Sequence, residues 1–129
     1  MKKIDGEAAR ILRGKTFAHL AIIDGRGRPH VSPLWIDVDE QGRALINTAE
    51  GRVKAGVLTN GTEVALSACD EDDPYRYVAV RGRVVERTRE GAEEVIHALS
   101  RKYRGKEYSI PEGHQRVTVR IEADHIFIR

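Results

Sequence analysis

Short runs of alternating apolar residues, most of them separated by turns that contain glycine or proline, constrain the fold of this sequence more than any other feature. The run Glu63 to Cys69 places Val64, Leu66 and Ala68 at every second position, which is the side-chain period of a β-strand with one buried face. Similar runs occupy residues 16–24, 30–39, 44–48, 75–87, 116–121 and 125–128. A turn-like segment, residues 122–124, separates the last two. About seven such strands predict a mainly β fold, an antiparallel β-barrel with added helices.

Two stretches have a helical period instead. Apolar residues three and four apart run from Ile4 to Leu12, and Gly14 follows as a helix stop. A second helix is expected between Thr88, as its N-cap, and Gly105, because its acidic start and basic end suit the helix dipole. Strands and helices do not alternate, and the sequence lacks a glycine-rich nucleotide-binding loop, so a parallel doubly wound sheet is not expected.

Size and charge narrow the range of functions. The 129 residues fit one domain, residues 1–129, with one hydrophobic core. A net charge of +2, spread over interleaved acids and bases, does not indicate an extended nucleic-acid surface. No window approaches the roughly 18 apolar residues of a membrane span, and the N-terminus lacks the apolar core of a signal peptide, so we expect a cytoplasmic protein that does not enter a membrane.

Metal and thiol chemistry are not expected. The five histidines have no spacing typical of metal ligands. The single cysteine, Cys69, cannot form an internal disulfide and lies in an alternating run, which predicts a small buried apolar residue.

Residues 29–54 carry the densest set of candidate binding residues. Their first strand combines Ser32 with Trp35, the only tryptophan of the chain. Their second strand ends in Asn47 and Thr48, whose short polar side chains can hydrogen-bond a ligand. An ordinary place in the core is the alternative for Trp35.

Two cations follow at once, at the start of a short helix predicted over residues 52–58. Arg52 and Lys54 beside free backbone N–H groups make an anion site through direct pairing and the helix dipole, and phosphate is the natural ligand. The alternative is that both side chains simply face solvent. With the strand residues before them, they indicate a flat ligand that has a phosphate tail.

A third group of residues opens the long strand predicted over residues 75–87. Tyr75, Arg76 and Tyr77 come directly after an acidic loop, and two further arginines alternate along the strand. These residues either pack at the strand end, form a subunit interface or contact an anionic ligand tail. The sequence pattern does not choose between the three.

The sequence resembles, along nearly its whole length, the split β-barrel proteins of the FMN-binding type that are related to pyridoxamine 5′-phosphate oxidase. Three segments carry the resemblance, in the order FAHLAIIDGRGRPHVSPLWID, LINTAEGRVKAGVL and DDPYRYVAVRGRVVE. The sequence is most similar to the branch of this family that uses coenzyme F-420. Members of that branch share a strand with Ser, Pro and Trp, followed by Thr, then Arg and Lys, and then a Pro-x-Arg-Tyr strand.

This resemblance implies a homodimer with two cofactor sites at the subunit interface, each built from one chain's barrel and a strand of the other chain. It implies a ring-binding segment, a ribityl-phosphate region, a phosphate-binding segment and a contribution from the second chain. In that order, these residues are Val31, Ser32, Pro33, Leu34 and Trp35; Asn47 and Thr48; Arg52, Val53 and Lys54; and Tyr75, Arg76 and Tyr77.

The implied activity is that of a coenzyme F-420-dependent oxidoreductase, which transfers a hydride between the deazaflavin and a small organic acceptor. The alternatives are an oxidase or reductase that binds flavin mononucleotide (FMN) and a non-catalytic protein that binds coenzyme F-420. Vitamin B6 oxidation is not expected, because SPLWID has no Arg or Lys where those oxidases use a basic motif, and their C-terminal substrate-binding segment has no counterpart. No general acid stands out, so water is expected to protonate the product.

Overall fold

The chain folds into seven strands and three helices within residues 2–129, the part that this computed structural model describes. The strands are β1 (Ala18–Ile23), β2 (Pro29–Leu34), β3 (Asp37–Val38), β4 (Ala44–Ala49), β5 (Glu63–Cys69), β6 (Tyr77–Thr88) and β7 (Arg116–Ile128). The helices are α1 (Gly6–Arg13), α2 (Val53–Val57) and α3 (Ala92–Arg104).

All of these strands join one sheet in the order β2-β1-β5-β6-β7-β4-β3. Every neighbouring pair is antiparallel, so the predicted antiparallel, mainly β fold with added helices is confirmed. No helix within residues 2–129 has the length and apolar character needed to cross a membrane.

The sheet curls around one apolar core, and helices α1 and α3 pack on opposite faces of the sheet. Helix α1 buries its apolar stripe in the core, including Ile11 and Leu12, as its spacing predicts. Helix α3 packs on the other face of β4 and β7. The start of β7 is therefore buried on both faces: Val117 lies in the core, while Arg116 and Thr118 are buried on the side of α3.

The continuous strand predicted over residues 30–39 is wrong, because the strand breaks between β2 and β3. The Ile36 N–H donates to the Tyr103 hydroxyl over 3.1 Å, and that hydroxyl donates to the Thr16 carbonyl over 2.5 Å. The Lys102 ammonium donates to the Ile36 carbonyl. Side chains of α3 thus occupy both backbone groups of Ile36, which are then unavailable for a strand ladder.

The two final strands predicted from the sequence are one continuous strand, β7, so this prediction is also wrong. The predicted turn over residues 122–124 is a β-bulge: Gly82 of β6 pairs with Ala123, and the pairing skips Asp124. Arg83 donates to both carboxylate oxygens of Asp124, over 2.7 and 2.9 Å. A bulge absorbs one extra residue without ending a strand, which explains why turn-like residues stay in the sheet.

Three smaller predictions also need correction. Helix α3 begins at Ala92, whereas Thr88 is the last residue of β6 and not a helix cap. Strand β6 begins at Tyr77, so Tyr75 lies in the preceding turn and is exposed. Cys69 is exposed rather than buried, because it ends β5 on the side that faces away from the core.

Removal of the Tyr103 hydroxyl in Tyr103→Phe is expected to destabilise the fold by about 1–3 kcal/mol, because the buried Ile36 N–H loses its acceptor. Burial raises the pKa of Tyr103 to about 12. The contribution of the hydroxyl is therefore full below pH about 10, the ordinary tyrosine value, and is lost as the pH rises from about 10 to about 12. Urea unfolding at several pH values measures both effects.

The exposed Tyr75 provides the control for this experiment, since Tyr75→Phe removes the same hydroxyl where it has no buried partner. We expect its unfolding midpoint to match that of the unmodified protein. An unchanged midpoint in Tyr103→Phe at neutral pH would contradict the role given to this hydroxyl.

Candidate functional site

A cavity of about 270 Å³ lies where the ends of β2, β4 and β7 meet α2 and α3. It brings together residues that the sequence analysis selected from separate segments. These are Pro33, Leu34, Trp35, Asn47, Thr48, Arg52 and Lys54. Larger grooves lie elsewhere on the surface, but the charged residues of this cavity are all cations.

The lining of the cavity is cationic. Arg52, Lys54, Arg104 and Arg116 line it, and no carboxylate does. Within residues 2–129, none of these four side chains forms an ion pair. Burial and then the neighbouring charge of Arg52 lower the pKa of Lys54. Positive side chains without partners favour an anionic ligand, above all a phosphate.

Helix α2 contributes less to this anion site than its sequence suggested. It spans only Val53–Val57, with Arg52 as its N-cap. A single turn has a small dipole, so the attraction for an anion comes mainly from the side chains of Arg52 and Lys54. Val53 points away and is exposed.

The aromatic rings of Phe17, Trp35 and Tyr108 line the cavity, and Tyr103 stacks on two of them. Trp35 stacks on Tyr103 with 5.3 Å between ring centroids and 7° between planes, and Tyr103 stacks on Phe17 at 5.8 Å. Tyr108 meets Trp35 edge-on at 6.1 Å, and the Arg104 guanidinium carbon lies 5.4 Å from the Trp35 centroid. Trp35 is therefore held by its neighbours, and it forms a fixed wall rather than a free stacking surface.

Asn47 and Thr48 differ in how far their polar atoms are already used. The Asn47 amide donates to the Ala92 carbonyl over 2.9 Å and to the Thr118 hydroxyl over 3.2 Å, and its oxygen accepts from Arg116 Nε over 2.9 Å. Asn47 thus links β4 to α3 and β7 at the cavity, and its own polar atoms are already used. The Thr48 hydroxyl is buried and has no hydrogen-bond partner among residues 2–129, which leaves it able to bind a ligand.

Sequence reasoning missed several residues of the cavity, namely Phe17, Ile96, Leu99, Arg104, Tyr108 and Arg116. Arg104 ends α3 and Arg116 begins β7, so each is an isolated cation with no motif beside it. Arg116 reaches the site only because β7 pairs with β4, which sets it opposite Ala49. Tyr108 lies in the connection between α3 and β7, where no periodic pattern indicates a conformation.

Several predicted residues do not line the cavity of their own chain. Val31 is exposed on the outer face of β2, and Ser32 is half-buried on the same strand. The residues assigned to the second chain lie elsewhere. Arg76 Nε donates to Glu7 over 2.6 Å, and Tyr77 packs against Phe127 at 5.9 Å. Their contribution to a partner's site stays a prediction.

The cavity is equipped to bind and orient a ligand. No histidine or carboxylate lines it, and these are the usual acid–base groups near neutral pH. The part of the chain that the structure describes contains no cluster of three or more His, Cys, Asp or Glu placed to hold a metal ion. The arrangement can hold a flat ligand by its anionic end, beside a rigid aromatic wall.

Solved structures of other proteins share this fold. A protein described as an F420 reductase superposes with a TM-score of 0.82 at 23% identity, over 96% of this chain and 98% of the other. Rv2991 of Mycobacterium tuberculosis gives 0.75 at 24% identity, over 99% and 89%. HupZ of Group A Streptococcus gives 0.70 at 16% identity, over 96% and 93%. At these identities the likeness concerns the fold alone.

Sequence comparison extends this likeness from the fold to the family. No curated protein matches the sequence. A family profile described as pyridoxamine 5′-phosphate oxidase matches residues 4–129, which include every strand and helix of the structure. The resemblance drawn from the sequence motifs is thereby confirmed, and the chain belongs to the pyridoxamine 5′-phosphate oxidase family.

Proposed function

We propose that this protein is a coenzyme F-420-dependent oxidoreductase that transfers a hydride between the deazaflavin and a small organic acceptor. The observation that carries the proposal is a cavity with four cationic side chains and no carboxylate, Arg52, Lys54, Arg104 and Arg116, beside a wall of stacked rings. Family membership supports a flavin-like cofactor. The fold shared with a protein described as an F420 reductase supports this branch of the family.

The cavity suits one end of such a cofactor. Its volume of about 270 Å³ lies below the roughly 300–1,000 Å³ of pockets that enclose a drug-sized ligand. Arg52 and Lys54 would hold the phosphate, the free hydroxyl of Thr48 would donate to the tail, and Pro33 with Trp35 would border the ring. The rest of the ring then extends beyond this chain's cavity.

The residues of the chain act in this proposal by position and charge. When bound, the reduced deazaflavin supplies the hydride, and the acceptor takes up that hydride with one proton. The cation set fixes the tail, and the wall around Trp35 limits how the ring can turn, which holds the reacting groups in one orientation. No histidine or carboxylate of this chain lines the cavity, and we expect water to provide the proton.

The proposal includes a homodimer in which a second chain completes each ring site. Small side chains, including Ala21 and Ala65, line grooves of about 580 and 330 Å³ on the outer sheet face, and Val31 and Phe127 are exposed beside them. An uncovered apolar sheet face supports pairing with a second copy. Val31 shares β2 with Pro33 of the cavity, so such an interface would adjoin the site.

Fluorescence titration with coenzyme F-420 and with FMN tests the choice of cofactor. We expect coenzyme F-420 to bind more tightly, and sedimentation monitored at the cofactor's absorbance band should show it moving with a species of two chains. Equal or tighter binding of FMN would overturn the proposal in favour of the FMN-dependent alternative. Turnover of the reduced cofactor with a panel of enones and quinones then separates an enzyme from a protein that only binds coenzyme F-420.

A further inference from the structure

Arg116 is a buried cation that no side chain of this protein neutralises within residues 2–129. It is only 5% exposed, and it is absent from the ion pairs of that part of the chain. Its Nη1 is buried and lacks a hydrogen-bond partner. A buried charge with an unused donor lowers stability unless a ligand supplies the missing acceptor.

Two contacts hold the Arg116 guanidinium in place. Nε donates to Asn47 Oδ1 over 2.9 Å, and the guanidinium carbon lies 5.2 Å from the ring centroid of Tyr108. The planar guanidinium therefore has its orientation set before any ligand arrives, while Nη1 remains free. Preorganisation of this kind is typical of a binding residue.

Arg116 also lies beside the two residues predicted to bind phosphate. It lines the same cavity as Arg52 and Lys54. Burial lowers the pKa of Arg116 most, Tyr108 opposes this shift, and the charge of Arg52 lowers the pKa again, so the two cations repel each other. An anion placed between such cations removes the repulsion and satisfies the free donor.

We infer that Arg116 is a third anion-binding residue of the cavity, whose Nη1 donates to an oxygen of the same phosphate that pairs with Arg52 and Lys54. The inference rests on the proposed function, because it takes the anionic end of the cofactor to be the group that enters the cavity. The phosphate would then contact residues from α2 and β7 together.

The same guanidinium joins the anion site to the aromatic wall. Tyr108 packs against Arg116 and meets Trp35 edge-on. A phosphate bound to Arg116 should therefore change the surroundings of Trp35. Because Trp35 is the only tryptophan of the chain, its intrinsic fluorescence reports this event without any cofactor.

Inorganic phosphate is the probe for the test. The unmodified protein, Arg116→Gln and Arg116→Lys are titrated with phosphate, and the thermal midpoint and Trp35 fluorescence are followed. Phosphate should raise the midpoint of the unmodified protein by mass action. Arg116→Gln should weaken phosphate binding by about tenfold or more. The control Arg83→Gln removes a charge that pairs with Asp124 on the exposed face, and its phosphate affinity should not change.

Equal phosphate affinity in Arg116→Gln and the unmodified protein would overturn the inference, as would no phosphate binding by the unmodified protein. If Arg116→Gln does not fold, Arg116→Lys decides, because a lysine lacks the planar fork with which arginine bonds Asn47 and phosphate from separate nitrogens. A loss of about threefold or more in that variant supports the inference, and unchanged affinity rejects it.

Failure of the Arg116 inference can be distinguished from failure of the proposed function. A protein that binds phosphate through Arg116 but does not bind coenzyme F-420 would contradict the proposed cofactor and leave the anion role of Arg116 intact. Coenzyme F-420 bound by Arg116→Gln at unmodified strength would instead contradict the inference and leave the proposed function intact.

Discussion

The affinity for coenzyme F-420 is expected to fall about 100-fold in the double variant Arg52→Ala/Lys54→Ala. Each alanine removes one charge-assisted hydrogen bond to the phosphate, and each such bond accounts for roughly a tenfold change in the dissociation constant. Both side chains line the cavity, and neither has a carboxylate partner in the described chain that would mask the loss. Fluorescence titration measures the dissociation constant directly.

The control is a double variant with the same change in net charge. Arg26→Ala/Lys3→Ala removes two cations from exposed positions that do not line the cavity. Its affinity should stay within about threefold of the unmodified protein at physiological ionic strength, because salt screens distant exposed charges. Comparable losses in the two double variants would indicate a general charge effect and would contradict a local phosphate site.

The pH dependence of binding follows from the environment of Lys54. Burial and the charge of Arg52 lower its pKa, and a bound phosphate favours its charged form. Affinity should therefore be full at neutral pH and should fall as the pH rises through a value below the ordinary lysine pKa of about 10.4. Lys54→Arg, which stays charged throughout this range, should lose that alkaline dependence.

Periodic segments were predictable from the sequence because a single buried face determines their pattern. The strand expected over Glu63 to Cys69 has the bounds of β5, and alternate residues from Val64 onward point into the core. The stripe from Ala8 to Leu12 likewise covers the core through α1, while Ile4 reaches the same core from the segment before the helix. In both cases the neighbours along the chain carry the information, and no distant contact changes the outcome.

The interruptions were not predictable, because distant residues cause them. Ile36 leaves the strand ladder when Tyr103, from α3, binds its backbone N–H. The bulge at Asp124 depends on the pairing of β7 with Gly82 of β6. Neither partner is marked by a local pattern, so a strand and a turn were the reasonable local predictions.

Some residues of the candidate site were likewise predictable from the sequence, and others were not. Residues close together in sequence, such as Arg52 and Lys54, could be assigned to one function by their order along the chain. Arg116 and Tyr108 enter the cavity only through the pairing of β4 with β7 and the packing of α3. A single cation at a strand start has no sequence signal for burial, and burial without a partner is what makes Arg116 informative.

Gly82→Ala is expected to lower the thermal midpoint by about 10 °C or more. A Cβ at position 82 would lie 2.0 Å from the carbonyl oxygen of Glu122 and 3.1 Å from the Cα of Ala123. These are backbone atoms of the bulge in β7, so no change of rotamer relieves the clash. Overpacking of this severity costs about 3 kcal/mol, and for a domain of this size that corresponds to roughly 10 °C.

Gly56→Ala in α2 is the matched control, because a Cβ there meets no heavy atom within 4 Å. Its midpoint should be unchanged or raised, since alanine suits a helix better than glycine. Circular dichroism melts of both variants make the comparison. A Gly82→Ala midpoint within about 2 °C of the unmodified protein would contradict the close approach of β6 and β7.

The Gly82→Ala variant can relieve its clash in two ways, and they differ in their effect on phosphate binding at the candidate site. A one-residue shift of β7 would reverse which face each of its side chains takes, and it would move Arg116 away from the face that it shares with Asn47. Such a shift should abolish the response of Trp35 fluorescence to phosphate even below the thermal midpoint. Local widening of the bulge would lower the midpoint but preserve that response, because the pairing of β7 with β4 would stay in place.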